Sequence, residues 1–336
     1  MGDVAMTVPV LLAFTKQYPN VKITVLSRAF FKPFFTGIPN VFFYEAVVKK
    51  QHKGIGGLYK LAKELKSLNI TAVADLHNVL RSNILNVFLK SMGYTVVQID
   101  KGRREKKALT RAKNKNLSPL KTTHQRYADV FKKLGYPVTL ESSCTLPKKA
   151  LTPDLNKKIG ENAQKWIGIA PFAAFEGKMY PLDLMEEVVK ALNNTGRYKI
   201  ILFGGGKQEA AILNQLASKY NWAVLMAGVV SFAEELILIS NLDLMLAMDS
   251  GNAHLAAMYG IPTVTLWGVT HPYAGFAPFA QPKENMMLSN RDKFPEIPTS
   301  VYGNKHPEGY DKAMRTILPE NVVARIESIL NAPPEK

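Results

Sequence analysis

Short runs of β-branched and apolar residues alternate with helical stretches along the whole chain, and this repetition limits the fold more than any other feature. It is the pattern of parallel sheets covered by helices. In the first half Lys22–Leu26, Val41–Tyr44, Thr71–Asp75 and Tyr94–Ile99 read as strands. Between them, the stretch Leu58–Leu68 puts Leu58, Leu61, Leu65 and Leu68 on one helical face and lysines on the other. In the second half Trp166–Ala170, Lys199–Phe203, Trp222–Leu225, Leu242–Ala247 and Thr263–Trp267 read as strands, with helices starting near Pro181, Lys207, Ser231, Ser250 and Pro319. Proline, lysine and polar residues interrupt the pattern around Ser142–Lys165. The 336 residues therefore divide into two α/β domains of ordinary size, residues 1–150 and 151–336, each doubly wound.

Composition excludes several classes. With 47% hydrophobic and 21% charged residues the chain is neither disordered nor collagen-like. Cys144 is the single cysteine, so there is no internal disulfide and no cysteine-only metal cage; a reducing compartment fits this usage. The longest apolar stretch, Trp222–Val230, is far short of the ~20 residues that span a bilayer. The apolar start Val4–Phe14 follows Asp3 with no basic residue before it, and reads as part of the fold rather than a signal peptide.

Charge is distributed unevenly. Residues 1–150 hold 26 lysines and arginines against 8 aspartates and glutamates, whereas the remainder holds 17 against 19. Such a basic half points to an anionic partner, whether nucleic acid, a membrane surface or an acidic substrate; a merely solvated basic surface is the plain alternative. The charge peaks in Gly102–Lys121, where Arg103, Arg104, Lys106, Lys107, Arg111, Lys113, Lys115 and Lys121 occur with no aromatic residue interleaved for base stacking. A flexible loop for phosphate or carboxylate groups is expected there.

The sharpest local signal is Asp249-Ser250-Gly251-Asn252-Ala253-His254-Leu255-Ala256-Ala257, set between a strand and a helix. It offers free backbone N–H groups to an anion such as diphosphate, although Ser250 is equally consistent with an ordinary helix cap. Phe203-Gly204-Gly205-Gly206-Lys207 also turns from strand to helix, but Gln208 stands where a phosphate-binding loop needs Ser or Thr. Gly54-Ile55-Gly56-Gly57 falls short of a dinucleotide fingerprint and reads as a flexible turn. No His-Glu-x-x-His, paired Cys-x-x-Cys or Asp-x-Asp occurs, so no metal site is expected. Stabilising a diphosphate without metal then falls to groups such as Lys178, Ser250 and the Gly251 backbone.

Taken in order, Met1-Gly2-Asp3-Val4 with Pro9, Ala74-Asp75-Leu76-His77 with Arg81-Ser82, Lys178-Met179-Tyr180-Pro181, Gly204-Gly205 with Glu209, and Asp249–Ala257 followed by Gly260, Pro262, Gly268, Thr270 and Pro272 resemble the ADP-heptose:lipopolysaccharide heptosyltransferases, glycosyltransferase family nine. The likeness runs across nearly the whole chain. It implies a GT-B architecture, two Rossmann-like domains facing across a cleft, with an acceptor-binding first domain and a nucleotide-sugar-binding second domain. It implies inverting, metal-independent transfer of heptose from ADP-heptose to an anionic inner-core acceptor, with no cofactor beyond the donor substrate. By the same resemblance Asp3 matches the general base and Lys178 the lysine at the donor phosphates. Glu209, Asp249, Ser250, Gly251 and His254 match donor-binding positions, and Arg81, Arg103, Arg104, Lys106 and Lys107 suit an acceptor bearing carboxylates and phosphates. The implied partners are the nucleotide sugar, a lipid-linked glycan and peripheral contact with the inner face of the cytoplasmic membrane, with no nucleic acid. A transferase using another nucleotide sugar, or a non-catalytic protein binding anionic glycans or nucleic acid, is the alternative.

Departures from the family pattern generate expectations too. The chain begins at the Gly-Asp motif that usually follows a strand, so the first domain is expected to lack its initial strand. Tyr180 stands where relatives commonly have Trp, and Pro298–Gly303 carries none of the cysteines common there.

Overall fold

The computed structural model describes residues 1–160 and 164–333. By its internal contacts the chain forms two compact units: the first comprises Met1, residues 3–103 and 121–144, and the second Gly2, residues 104–120 and 145–336.

The first unit opens with helices α1 (Gly2–Ala5) and α2 (Thr7–Gln17) and continues β1 (Ile23–Ser27), β2 (Val41–Glu45), α3 (Gly54–Lys66), β3 (Ala72–Asp75), α4 (Leu80–Ser91) and β4 (Thr95–Gln98). Helix α5 (Arg103–Thr110) follows, and α6 (Thr123–Lys133) returns the chain to this unit. The four strands stand as two separate parallel pairs, β1–β2 and β3–β4. Among the described residues no strand joins the two pairs into one sheet. Side chains hold the pairs together: Leu58, Leu61, Ala62 and Leu65 of α3 and Leu85 and Leu89 of α4 form one buried cluster against which Leu26, Tyr44, Val73 and Val96, one from each strand, pack. Elsewhere α2 packs on α6 through Phe14 and Phe131, whose ring centroids lie 4.7 Å apart.

Gly54–Gly57, expected as a flexible turn, is instead the first turn of α3. Gly57 serves close packing, since a Cβ there would stand 2.5 Å from the carbonyl carbon of His52. His52 is buried, accepts the Val47 N–H at Nδ1 and meets Glu64 with Nε2 at 2.9 Å, which ties the β2–α3 connection to the helix.

The second unit runs α7 (Pro153–Ile159), β5 (Lys165–Ala170), α8 (Leu182–Asn194), β6 (Tyr198–Leu202), α9 (Gly206–Ala217), β7 (Ala223–Leu225), α10 (Phe232–Ile239), β8 (Leu244–Met248), α11 (Gly251–Ala257), β9 (Thr263–Trp267), β10 (Met286–Leu288) and α12 (Pro319–Leu330). Its six strands form one parallel sheet in the order β10-β9-β8-β5-β6-β7. Every residue of β6, β8 and β9 is buried, which is why these strands read as continuous apolar runs rather than alternating ones. One face packs Ile167, Ile200, Leu244 and Val264 against Val188 and Leu192 of α8 and Val322 and Ile326 of α12. From the central pair β5 and β8 the chain winds outward in opposite directions, and at such a reversal the loops leaving the strands' carboxyl ends diverge and open a crevice.

Residues 104–120, expected as a flexible basic loop, instead begin with most of α5 and are tied to the second unit. Lys115 Nζ donates to Leu109 O and Pro298 O, and Leu120 N donates to Tyr273 O at 2.9 Å.

Helix α10 generates a pH prediction. Ser231 and Glu234 close its start as a reciprocal capping box, and the next residue, Glu235, is pushed by burial from an ordinary 4.5 up to about 7. The folded chain then binds more protons than the unfolded chain between those values, so this contribution to stability is full below about 4.5 and is lost as pH rises through about 7. Thermal melts should show Glu235→Gln gaining stability relative to the parent as pH rises from 5 to 8. Parallel profiles across that range would refute the buried-acid account.

Candidate active site

The polar groups of the second unit gather on the loops that leave the strands at the sheet reversal. The loop after β5 carries a short 3₁₀ turn, Glu176–Lys178; the end of β8 carries Asp249 and Ser250; the end of β9 leads to Thr270. Lys178 Nζ lies 3.1 Å from Asp249 Oδ2, and the same oxygen accepts the Thr270 hydroxyl at 2.9 Å. Both members of the ion pair are largely shielded, with side-chain exposures of 14% and 7%. Removing either partner alone would leave an uncompensated charge in a poorly solvated place.

Two groups beside this pair are unsatisfied. Ser250 precedes α11 in extended conformation, but its side chain makes no capping hydrogen bond. Among the described residues Ser250 Oγ and Asn252 Oδ1 are buried without a hydrogen-bond partner. Buried polar atoms are nearly always paired, so two orphans on one turn leave bonding capacity there for a water or a polar ligand. The ordinary-cap alternative for Ser250 thereby loses its basis. His254 and Gly251 lie on the same short helix, His254 buried.

Glycines fix the lysine. Val269 N donates to Gly177 O at 2.9 Å and Thr299 N donates to Val269 O at 2.9 Å, which stitches three segments together under Lys178. A Cβ on Gly177 would come 2.6 Å from Val269 Cγ2, and one on Gly303 would overlap Cγ of Lys178 itself. Gly303 also adopts φ +77°, a region costly for other residues. The Ser300 hydroxyl shapes this turn by accepting the N–H groups of Tyr302 and Gly303. Thr270 and Gly303 were not singled out as site residues by sequence reasoning; each acts through a neighbour remote in the chain.

Other expected residues fall as follows. Glu209, in the first turn of α9, turns back on its own helix start, where Oε2 accepts Gly205 N–H at 2.6 Å. Asp3 lies exposed in the first turn of α1, while the N-cap of α2 is Met6, so the Asp3 carboxylate does not cap α2. The backbone carbonyl of Asp3 accepts the buried Tyr127 hydroxyl at 3.1 Å. Arg81 is exposed at the start of α4, and Arg103, Arg104 and Lys107 are exposed on α5. Lys106 differs from these: it is buried, with Nζ 3.9 Å from the centroid of the Phe276 ring, a cation–π contact that secures α5.

Asp75 organises the approach to Arg81. Its Oδ1 accepts the N–H groups of His77 and Asn78, and its Oδ2 accepts Asn86 Nδ2 and Gln98 Nε2. Burial raises the pKa of this carboxyl, but the four hydrogen bonds outweigh burial and the net shift is downward. His77 is pushed down by burial and by the Lys101 charge, so it favours the neutral form. Among the described residues no group of three or more His, Cys, Asp or Glu side chains is placed to hold a metal ion.

The second unit is thus a parallel α/β unit with a polar cluster at its sheet reversal. Residues 58–305 match the model of glycosyltransferase family 9 (heptosyltransferase), and the chain belongs to that family. It is a glycosyltransferase. It is 25% identical to lipopolysaccharide heptosyltransferase 2 of Salmonella typhimurium over 98% of this chain and 96% of that protein. With lipopolysaccharide heptosyltransferase 3 of Escherichia coli it shares 23% identity, again over 98% of this chain and 96% of the relative. Among solved structures, a family 9 glycosyl transferase from Veillonella parvula superposes with TM-score 0.71 at 19% identity, covering 98% of this chain and 94% of the other. The E. coli heptosyltransferase WaaC with ADP superposes with TM-score 0.67 at 17% identity, covering 98% and 96%. These likenesses establish the GT-B type of fold.

The packing under Lys178 can be tested with inorganic pyrophosphate as the anion. Gly303→Ala should weaken pyrophosphate binding on the order of tenfold by displacing the lysine. Gly196→Ala carries a similar backbone strain, φ +66° with open space around the new methyl, and should lower the melting temperature without changing pyrophosphate affinity. Equal pyrophosphate affinities for the two variants would show that Gly303 does not place Lys178.

Proposed function

We propose that the chain transfers heptose from ADP-heptose to an anionic inner-core acceptor of lipopolysaccharide, with inversion at the anomeric carbon. The observation that carries this reading is the Lys178–Asp249 pair beside the unpartnered Ser250 Oγ and Asn252 Oδ1. The names of the relatives support the sugar and the acceptor class, and the ADP and ADP-2-deoxy-2-fluoro heptose complexes of the E. coli neighbour support the nucleotide.

In this mechanism diphosphate displaces Asp249 as the main partner of Lys178, and Ser250 Oγ donates to a phosphate oxygen. Leaving-group charge grows as the glycosidic bond breaks, so cationic and hydroxyl donors already in place lower the barrier more than they stabilise the bound donor. Thr270 keeps Asp249 from swinging after the lysine. Asp3 takes the proton from the acceptor hydroxyl, which is a poor nucleophile while neutral. An inverting displacement needs that oxygen to attack from the side opposite the departing diphosphate. Asn252, Gly251, His254 and Glu209 complete the donor site. Residues 1–150 recognise the acceptor, with Arg81, Arg103, Arg104 and Lys107 meeting its carboxylates and phosphates while Lys106 holds α5 in place. Transfer takes place at the cytoplasmic face of the membrane that carries the lipid-linked acceptor, and the donor phosphates are held without a metal ion.

Two substitutions separate the roles. Lys178→Ala should weaken ADP binding measured by calorimetry and slow turnover, in buffer without divalent cations as well as with them. Asp3→Asn should lower turnover by about 10²–10⁴ while ADP affinity stays within a few-fold of the parent. Unchanged ADP affinity in the lysine variant would remove Lys178 from the donor site, and near-normal turnover in the aspartate variant would remove Asp3 from the chemistry.

A further inference from the structure

The outward side of α3 and α4, in the first unit, carries a surface that the transfer chemistry leaves unused. Helix α3 buries Leu58, Leu61, Ala62 and Leu65, yet Ile55 and Tyr59, four residues apart and so on one face, remain 66% and 43% exposed. Tyr59 extends this surface to α4 by packing edge-on against Phe88, with ring centroids 5.3 Å apart. On α4 the inward residues are Leu85 and Leu89, whereas Leu80 and Val87, two turns apart, are 78% and 65% exposed with half-buried Ile84 between them. Single exposed apolar residues are ordinary, but these lie on two helices that pack together and are bridged by the Tyr59–Phe88 contact, which favours reading them as one patch.

The rim of the patch is cationic. Lys53, Lys60, Lys63 and Lys66 are exposed on or beside α3, and Lys90 is exposed on α4. Lys63 Nζ sits 4.7 Å from the Tyr59 ring centroid, which brings an ammonium directly to the apolar strip. Glu64 is the one acidic residue in the two helices, and it is committed to Tyr44 and His52. A second copy of the chain seated on this face would bring the same lysines against each other. A bilayer with anionic headgroups meets both halves of the surface: short apolar side chains enter the acyl boundary while lysines reach the phosphates.

From this pattern we infer that the α3–α4 face docks the protein on an anionic phospholipid surface, with α3 lying in the interfacial plane. Among the described residues no helix is long and apolar enough to cross a membrane, so the contact is peripheral. The inference deepens the proposed reaction at a lipid-linked acceptor, but its test requires no transfer. In co-sedimentation, the protein should bind vesicles of phosphatidylglycerol and phosphatidylethanolamine, release them at high salt, and bind phosphatidylcholine vesicles weakly. Ile55→Ser with Val87→Ser should weaken anionic-vesicle binding about tenfold at unchanged melting temperature, and Lys53→Glu with Lys60→Glu should do so through charge alone. Ile55→Leu with Val87→Leu should retain binding. Failure of the parent to bind anionic vesicles, or full binding by the serine variant, would overturn the assignment. So would self-association in sedimentation velocity that the serine variant abolishes while vesicle binding persists, because the patch would then belong to a second copy. Vesicle binding by a preparation without transferase activity supports the docking face and counts only against the enzymatic reading.

Discussion

The pairing of Lys178 with Asp249 is the interaction around which the second unit is arranged. Neither charge is well solvated, so each depends on the other, and both depend on the loops that hold them. The sheet supplies the location. Strands β5 and β8 are neighbours at the reversal of strand order, so the lysine loop and the aspartate turn leave the sheet side by side. Thr270, from the end of β9, binds the same carboxylate oxygen as the lysine. In the proposed donor site, a phosphate would exchange one anionic partner of Lys178 for another, while Thr270 holds Asp249.

Backbone packing sets the precision of that arrangement. Gly177, Gly268 and Gly303 lie where Cβ atoms would strike Val269, the Gly177 carbonyl and Lys178 respectively. Two backbone hydrogen bonds, from Val269 to Gly177 and from Thr299 to Val269, bind these segments into one floor. The lysine stem is thereby held on a rigid support, which is what a preorganised electrostatic site requires.

Much of this was legible in the sequence, and the parts that were not share a cause. Buried strands such as Leu244–Met248 and Thr263–Trp267 announced themselves because both faces are covered and the runs are unbroken. The Asp249–Ala257 block stood out because a strand end, a polar turn and a helix start follow one another locally. Helix α5 was hidden by its charge: five of the eight residues in Arg103–Thr110 are charged, and only the burial of Lys106 and Leu109 shows that the segment is packed. Gly54–Gly57 resembled a turn because helix propensity penalises glycine, whereas the close approach of His52 requires it at Gly57. Thr270 and Gly303 escaped because their meaning lies in contacts with Asp249 and Lys178 from far along the chain. The division of residues 104–120 from their sequence neighbours is likewise a matter of long-range contacts.

The central claim is that the Lys178–Asp249–Ser250 cluster receives the donor diphosphate. A crystal structure of the protein with ADP tests it most directly. The β-phosphate should lie within hydrogen-bonding distance of Lys178 Nζ and Ser250 Oγ, with Thr270 still bound to Asp249. A nucleotide bound elsewhere, with the Lys178–Asp249 pair intact and Ser250 Oγ still unpartnered, would contradict it.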